Sequence, residues 1–328
     1  EAWRVVRARL RQELGKNANP GEINEAGYFT AACGVTIYRG EAYPESWRGN
    51  LFVAEPAGNL VHRRSLQPDG VTFSSHRVDK ESEVIASSDN FFRPVNLVNA
   101  PDGTLHVVDM YRELVEDPKY VPSDLIAAGK VNVKGDQNRG RIYRLTPPNF
   151  KFPKPPQLGK ASIDEWVAQL ENPNAWWRET AQRLIYERQD ASAVNPLRKL
   201  LAQTNRPNRP SARLHALWAL DGLDALRSED ITVALSDQSQ VLREHALRLS
   251  EKRLQHSSDL LPTIVNLAKD PDPRVRFQLA FTLGEARFGS KGIAQTPAES
   301  STHGRVVAAL AGIARQDVSD VWVRTALL

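Results

Sequence analysis

Two different periodicities, each organised into its own internal repeat, predict a two-part chain: the C-terminal blades of a β-propeller followed by an all-α, HEAT-like solenoid. Residues 1–148 alternate in short apolar and polar runs broken by Gly, Pro, Asn and Asp, the two-residue period of strands. Residues 160–328 repeat their apolar positions at helical spacing. Between them, residues 149–159 continue a proline-rich run, TPPNFKFPKPPQLG, that can extend neither a ladder nor a helix and reads as a linker.

The strand half carries a repeated unit. RGNLFVAEPAGNLVHRRSL (48–66) places Gly49, Leu51, Val53 and Glu55 where NAPDGTLHVVDMYR (99–112) places Gly103, Leu105, Val107 and Asp109. The partner strand follows at once in the first copy, as Val61-His62-Arg63, and late in the second, as Ile142-Tyr143-Arg144. The offset grows from 54 to 81 residues, so the second copy holds about 27 extra residues, roughly 111–138. A strand-turn-strand unit that recurs this way cannot bury both faces alone, which is the logic of stacked blades. Two such units cannot close a ring, and the earlier blades are expected upstream, in a longer protein. At the N-terminus, Trp3, Val6, Leu10 and Leu14 have helical spacing, but the repeat context favours an edge strand.

In the helical half, five segments share one frame, with arginines at Arg178, Arg213, Arg243, Arg276 and Arg324. Steps of 35, 30, 33 and 48 residues between them match paired amphipathic helices in a solenoid. The run Asp270-Pro-Asp-Pro-Arg-Val-Arg276 suits a helix start, and the repeated arginine is expected to pair along a ladder between repeats. The long last step holds a Gly/Ser/Thr/Pro-rich loop, 289–305.

Bulk properties exclude several function classes. Net charge is +4, with 43 Lys and Arg scattered among 39 Asp and Glu, so no basic stripe marks a nucleic-acid partner. One cysteine, Cys33, excludes an internal disulfide, a CxxC pair, a zinc knuckle and a CxxCH haem motif. No apolar run reaches the roughly 18–20 residues of a membrane span. The first residues lack a signal peptide's apolar core. HExxH, nucleophile-elbow, P-loop and dinucleotide GxGxxG motifs are absent.

The stretches CGVTIYRGEAYPESWRGNLFVAEPAGNLVHR (33–63) and SSDNFFRPVNLVNAPDGTLHVVDMYR (87–112), with WWRETAQRLI and ARLHALWALDGL downstream, resemble bacterial membrane-bound dehydrogenase-type proteins. These combine a glucose/sorbosone dehydrogenase-like propeller with HEAT-like repeats and often a c-type haem domain. The resemblance implies an exported, periplasmic quinone-dependent oxidoreductase acting on a sugar or other alcohol. Its cofactor would be pyrroloquinoline quinone (PQQ), with calcium as a further ligand and a haem partner as electron acceptor. Cationic clamps for the quinone carboxylates and a basic histidine would then be required. That histidine would lie in upstream blades, so no catalytic residue is assigned within this chain.

Four residues remain as cofactor or substrate candidates. Arg93, in DNFFRPV, precedes a strand-starting proline and offers a cation; the competing role is an ion pair with Asp89. Asp109 reads as a substrate or calcium ligand, or as a corner acceptor like Glu55. Tyr111 and Arg112 open the 111–138 insertion and are placed to line a pocket. His215 and His245 occupy one slot of successive repeats, where a solvated face outweighs a metal site, and Trp176-Trp177 reads as core or as the seam between the two domains rather than a base-stacking platform. A second function class stands beside the first: a non-catalytic scaffold that binds a polysaccharide or protein partner.

Overall fold

The computed structural model describes residues 29, 31–89, 91–113, 123–129, 138–204, 210–254, 259–286 and 297–328. The N-terminal strand reading and most of the 111–138 insertion lie outside these residues. Two compact units form, Glu1–Leu66 with Ser75–Pro155, and Gln67–Ser74 with Pro156–Leu328.

Among the described residues eight strands are formed, all in the first unit except for the tip of the β3–β4 hairpin: β1 (Cys33–Ile37), β2 (Leu51–Glu55), β3 (Leu60–Asp69), β4 (Thr72–Arg77), β5 (Ile85–Ala86), β6 (Pro94–Asn99), β7 (Leu105–Asp109) and β8 (Arg141–Leu145). They form two antiparallel sheets. One has the order β1-β2-β3-β4 with β5 also on β3, and the other has the order β6-β7-β8.

This corrects the expected fold class. Five strands in one sheet and three in the other, with neither closed, are not a set of propeller blades, and no closed propeller is seen among the described residues. The physical reason is one of range. Alternation and turn chemistry fix each strand and its hairpin locally, whereas the number of strands per sheet and ring closure depend on non-local pairing.

The internal repeat itself is exact in backbone terms. Gly49 and Gly103 turn into β2 and β7 with φ of +81° and +83°, a region that disfavours side-chain-bearing residues. Val53 then faces His62 across β2–β3, and Val107 faces Tyr143 across β7–β8. Tyr38, Tyr43, Phe52, Val61, Phe92, Leu97, Leu105 and Val107 share one buried cluster. Tyr43 pins that core to backbone: its hydroxyl accepts from the Leu105 amide at 2.7 Å and donates to the Leu145 carbonyl at 2.7 Å. Burial pushes the Tyr43 phenol far above its ordinary range, so the hydroxyl stays protonated and able to do both.

Helices build the second unit. After the short α1 (Ser123–Ala127) of the first unit come α2 (Ile163–Gln169), α3 (Ala175–Arg188), α4 (Val194–Leu201), α5 (Pro210–Gly222) and α6 (Ser228–Leu235). They are followed by α7 (Gln240–Leu254), α8 (Leu261–Asn266), α9 (Pro273–Gly284), α10 (Pro297–Gln316) and α11 (Val321–Leu327). Side-chain caps set several starts. Ser162 and Glu165 form a capping box at α2, Asn174 accepts from the Trp176 amide at α3, and Asp272 accepts from the Arg274 amide ahead of Pro273 at α9. Leu170, Ile185, Leu197, Leu217, Leu247 and Leu279 belong to one continuous core, together with Trp177.

Within this unit the repeated arginines form a ladder. Arg213 grips Asp237 through Nε (2.8 Å) and Nη2 (2.9 Å), Arg243 grips Asp270 (2.6 and 2.8 Å), and Arg276 grips Asp317 (2.7 and 2.5 Å). Each is the planar two-point contact that suits guanidinium and carboxylate. Nη1 of Arg243 and of Arg276 also donates to the carbonyl six residues back, that of Asp237 and Asp270. Arg178 repeats that last contact on Asn172 (2.6 Å). In the turn after α4, however, Gln203 stands where the later turns carry aspartate, and its Oε1 is buried without a hydrogen-bond partner.

Candidate functional site

The four predicted site residues converge on one node where β6 begins and β7 ends. Pro94 pairs with Asp109 in the ladder, so the preceding Arg93 lies directly against the end of β7. Oδ1 of Asp109 accepts from the backbone amides of Arg93 (2.7 Å) and Tyr111 (2.8 Å). Oδ2 is buried with no hydrogen-bond partner. Burial raises the Asp109 pKa, against the lowering effects of the Tyr111 amide and the Arg141 charge.

Arg93 is fully buried. Its Nε donates to the Arg112 carbonyl (2.8 Å), Nη1 to the Pro56 carbonyl (2.9 Å) and Nη2 to the Glu113 carbonyl. All three nitrogens are thus committed to backbone. Asp89, the expected ion-pair partner, accepts from the Phe91 amide and stands 4.0 Å from Arg141. Tyr111 holds a φ of +48°, and its ring packs 5.2 Å from Phe91 beneath the Arg141 guanidinium at 3.4 Å. Among the described residues Nε of Arg112 is buried without a hydrogen-bond partner.

These residues do not fit a quinone bearing carboxylates. Arg93, the most buried cation of the node, already serves three carbonyls with its donors, and the adjacent Asp109 carboxylate would repel the quinone carboxylates. Calcium is no better supplied. One Asp109 oxygen is occupied by two amides, and no group of three or more metal-ligating side chains occurs among the described residues. Cys33 is not an activated nucleophile, since burial and then the Glu55 carboxylate push its thiol up.

Beside the node lies a groove of about 340 Å³ that the sequence reading did not single out. Ile85 and Ala86 of β5, Phe92, Val107 of β7, and Tyr143 and Leu145 of β8 line it, and Asp89 and Arg144 bring opposite charges to the same lining. Arg144 is held 2.8 Å from Asp102 and donates to His106 at 3.2 Å. The Phe92 ring meets Tyr143 edge-on at 5.8 Å. One signal was readable in advance: IYR (142–144) puts large apolar residues on both faces of a strand.

The repeat-slot histidines serve structure in the helical unit. His215 bonds Gln182 through Nδ1, and His245 accepts from Trp218 Nε1 at 3.2 Å while burial, then Arg248, lowers its pKa. Trp177 is buried and Trp176 packs beside it.

Residues 3–149 match a domain of unknown function, DUF7133. No curated protein matches the chain. Among the described residues no helix is long and apolar enough to cross a membrane.

Proposed function

We propose that the strand-rich unit is a non-catalytic binding module that holds an extended segment of a protein partner in the groove beside β8. The observation that carries this reading is the open edge next to a ready-made apolar slot. Among the described residues β8 pairs only with β7, and its Ile142 is 71% exposed and Tyr143 39%. A free edge presents a row of unpaired amides and carbonyls, which an incoming strand completes while the slot receives its alternate side chains. Phe92, Val107 and Leu145 supply the apolar lining, with Arg144 and Asp89 available to orient the segment. A quinone-dependent oxidation of an alcohol is less well served, because Arg93 gives its donors to backbone carbonyls and the Asp109 carboxylate stands beside it.

Panning the chain against a displayed library of linear twelve-residue peptides tests the proposal. Enrichment of sequences with apolar residues at alternate positions is expected, and Tyr143→Ala should abolish it. An absence of enrichment, or enrichment indifferent to Tyr143→Ala, would overturn the reading. Dye reduction by the chain with PQQ, calcium and a sugar would turn the assignment to the redox class.

A further inference from the structure

The arginine ladder has an open rung. α11 is built like the ladder-bearing helices before it: Asp320 caps it by accepting from the Trp322 and Val323 amides, as Asp272 caps α9 and Asn174 caps α3. Arg324 sits four residues past its cap, as Arg276 and Arg178 do. It also donates to the carbonyl six residues back, that of Val318, at 3.2 Å. What the earlier rungs add is a carboxylate from the next turn, Asp237, Asp270 or Asp317. Arg324 is exposed and pairs with no carboxylate among the described residues. Around it Val318, Val321 and Trp322 are 61%, 54% and 54% exposed, an apolar strip beside an unused cation.

We infer that this face of α11 docks a helix pair whose connecting turn carries an aspartate. The ladder's continuity specifies the occupant. In each complete rung the carboxylate comes from the turn between two packed helices, such as Asp237 between α6 and α7. An arriving pair would set its aspartate on Arg324 and its apolar face on Trp322 and Val321. A second copy of this chain does not meet the requirement. The turn ahead of its α3 offers Asn172 at the ladder position, and that side-chain amide already donates to Gln169.

The test uses the whole chain and a synthetic peptide of residues 223–254, which contains α6, Asp237 and α7. Titration followed by calorimetry should show saturable binding. Affinity should fall at least tenfold for an Asp237→Asn peptide or for an Arg324→Gln chain, and the two changes together should cost no more than either alone. Because a short helix pair folds weakly by itself, the same segment is also joined behind Leu328. Its melting temperature should rise over that of the chain alone, and Arg324→Gln should remove the gain. Absence of binding together with absence of stabilisation, or effects indifferent to Arg324→Gln, would overturn the inference. So would head-to-tail oligomers of the unmodified chain in sedimentation, since Asn172 would then suffice.

Discussion

Arg93 in the strand-rich unit and Arg213 in the helical unit are both buried cations, 0% and 1% exposed, and their hydrogen bonds go to different kinds of acceptor. Arg213 meets a carboxylate, Asp237, in a two-point contact. Arg93 meets three backbone carbonyls, from Pro56, Arg112 and Glu113. The first arrangement repeats every 30-odd residues because one pair needs only one turn and one helix. The second does not follow the repeat, because it needs three loops to arrive together. A carboxylate pair is a stacking device; a carbonyl cage ties several loops to one side chain.

The comparison is sharpest where one partner is removed. Arg213→Ala strands the Asp237 carboxylate in the core and should cost about 3–5 kcal/mol, read as a lowered denaturant midpoint. Replacing both residues by apolar ones should restore much of that loss. Arg93→Met leaves the Pro56, Arg112 and Glu113 carbonyls without their donor and should cost about 2–3 kcal/mol. It should also appear as faster amide exchange around 56 and 111–113, whereas Arg213→Ala should speed exchange in α5–α7. Equal losses for the two variants would break the distinction.

Asp109 extends the comparison to pH. Its pKa is raised in the folded state, so between its ordinary and its raised value this carboxyl binds more protons in the folded chain than in the unfolded one. Stability should therefore fall as pH rises from the ordinary carboxylate range through the raised folded value, with the penalty complete above it. Asp109→Asn should flatten that part of the stability–pH profile. An unchanged profile would mean that another group carries it. The smallest effect is expected from Gln203→Asp, which replaces a buried amide oxygen lacking a hydrogen-bond partner among the described residues by the carboxylate that the later turns carry at Asp237, Asp270 and Asp317. A gain of about 0.5–1 kcal/mol would appear as a rise of about 1–4 °C in melting temperature.

What the sequence disclosed follows the range of each interaction. The paired glycines, Gly49 and Gly103, and the apolar strand positions after them were legible because φ and side-chain alternation are local. The ladder arginines were legible as a repeated slot, and their pairing was anticipated without the partners, since Asp317 lies 41 residues from Arg276. Sheet membership was not legible. Nothing in LVHRRSL announces that β3 takes β2, β4 and β5 as neighbours, while β8 takes β7 alone. At the site, the four residues were found by their position at strand ends, Arg93 before one and the other three at or after one, but not the role of Arg93. A loop arginine next to Asp89 reads as half of an ion pair until three distant carbonyls are seen around it. The groove was missed because β5 and β8 are 55 residues apart at their closest ends.

The two hairpins share a plan but not a connection. Residues 56–59 join β2 to β3, whereas 110–140 join β7 to β8, four residues against 31. Closing the longer connection costs only about 2 kcal/mol more in chain entropy. Asp109 holds the Arg93 and Tyr111 amides, and so sets the exit of the chain from β7 whatever follows. This hairpin is therefore a natural port for foreign sequence. Segments of differing length and composition could be exchanged between Glu113 and Asn138 while the sheet beneath keeps its register, which makes the position suited to displaying grafted recognition loops.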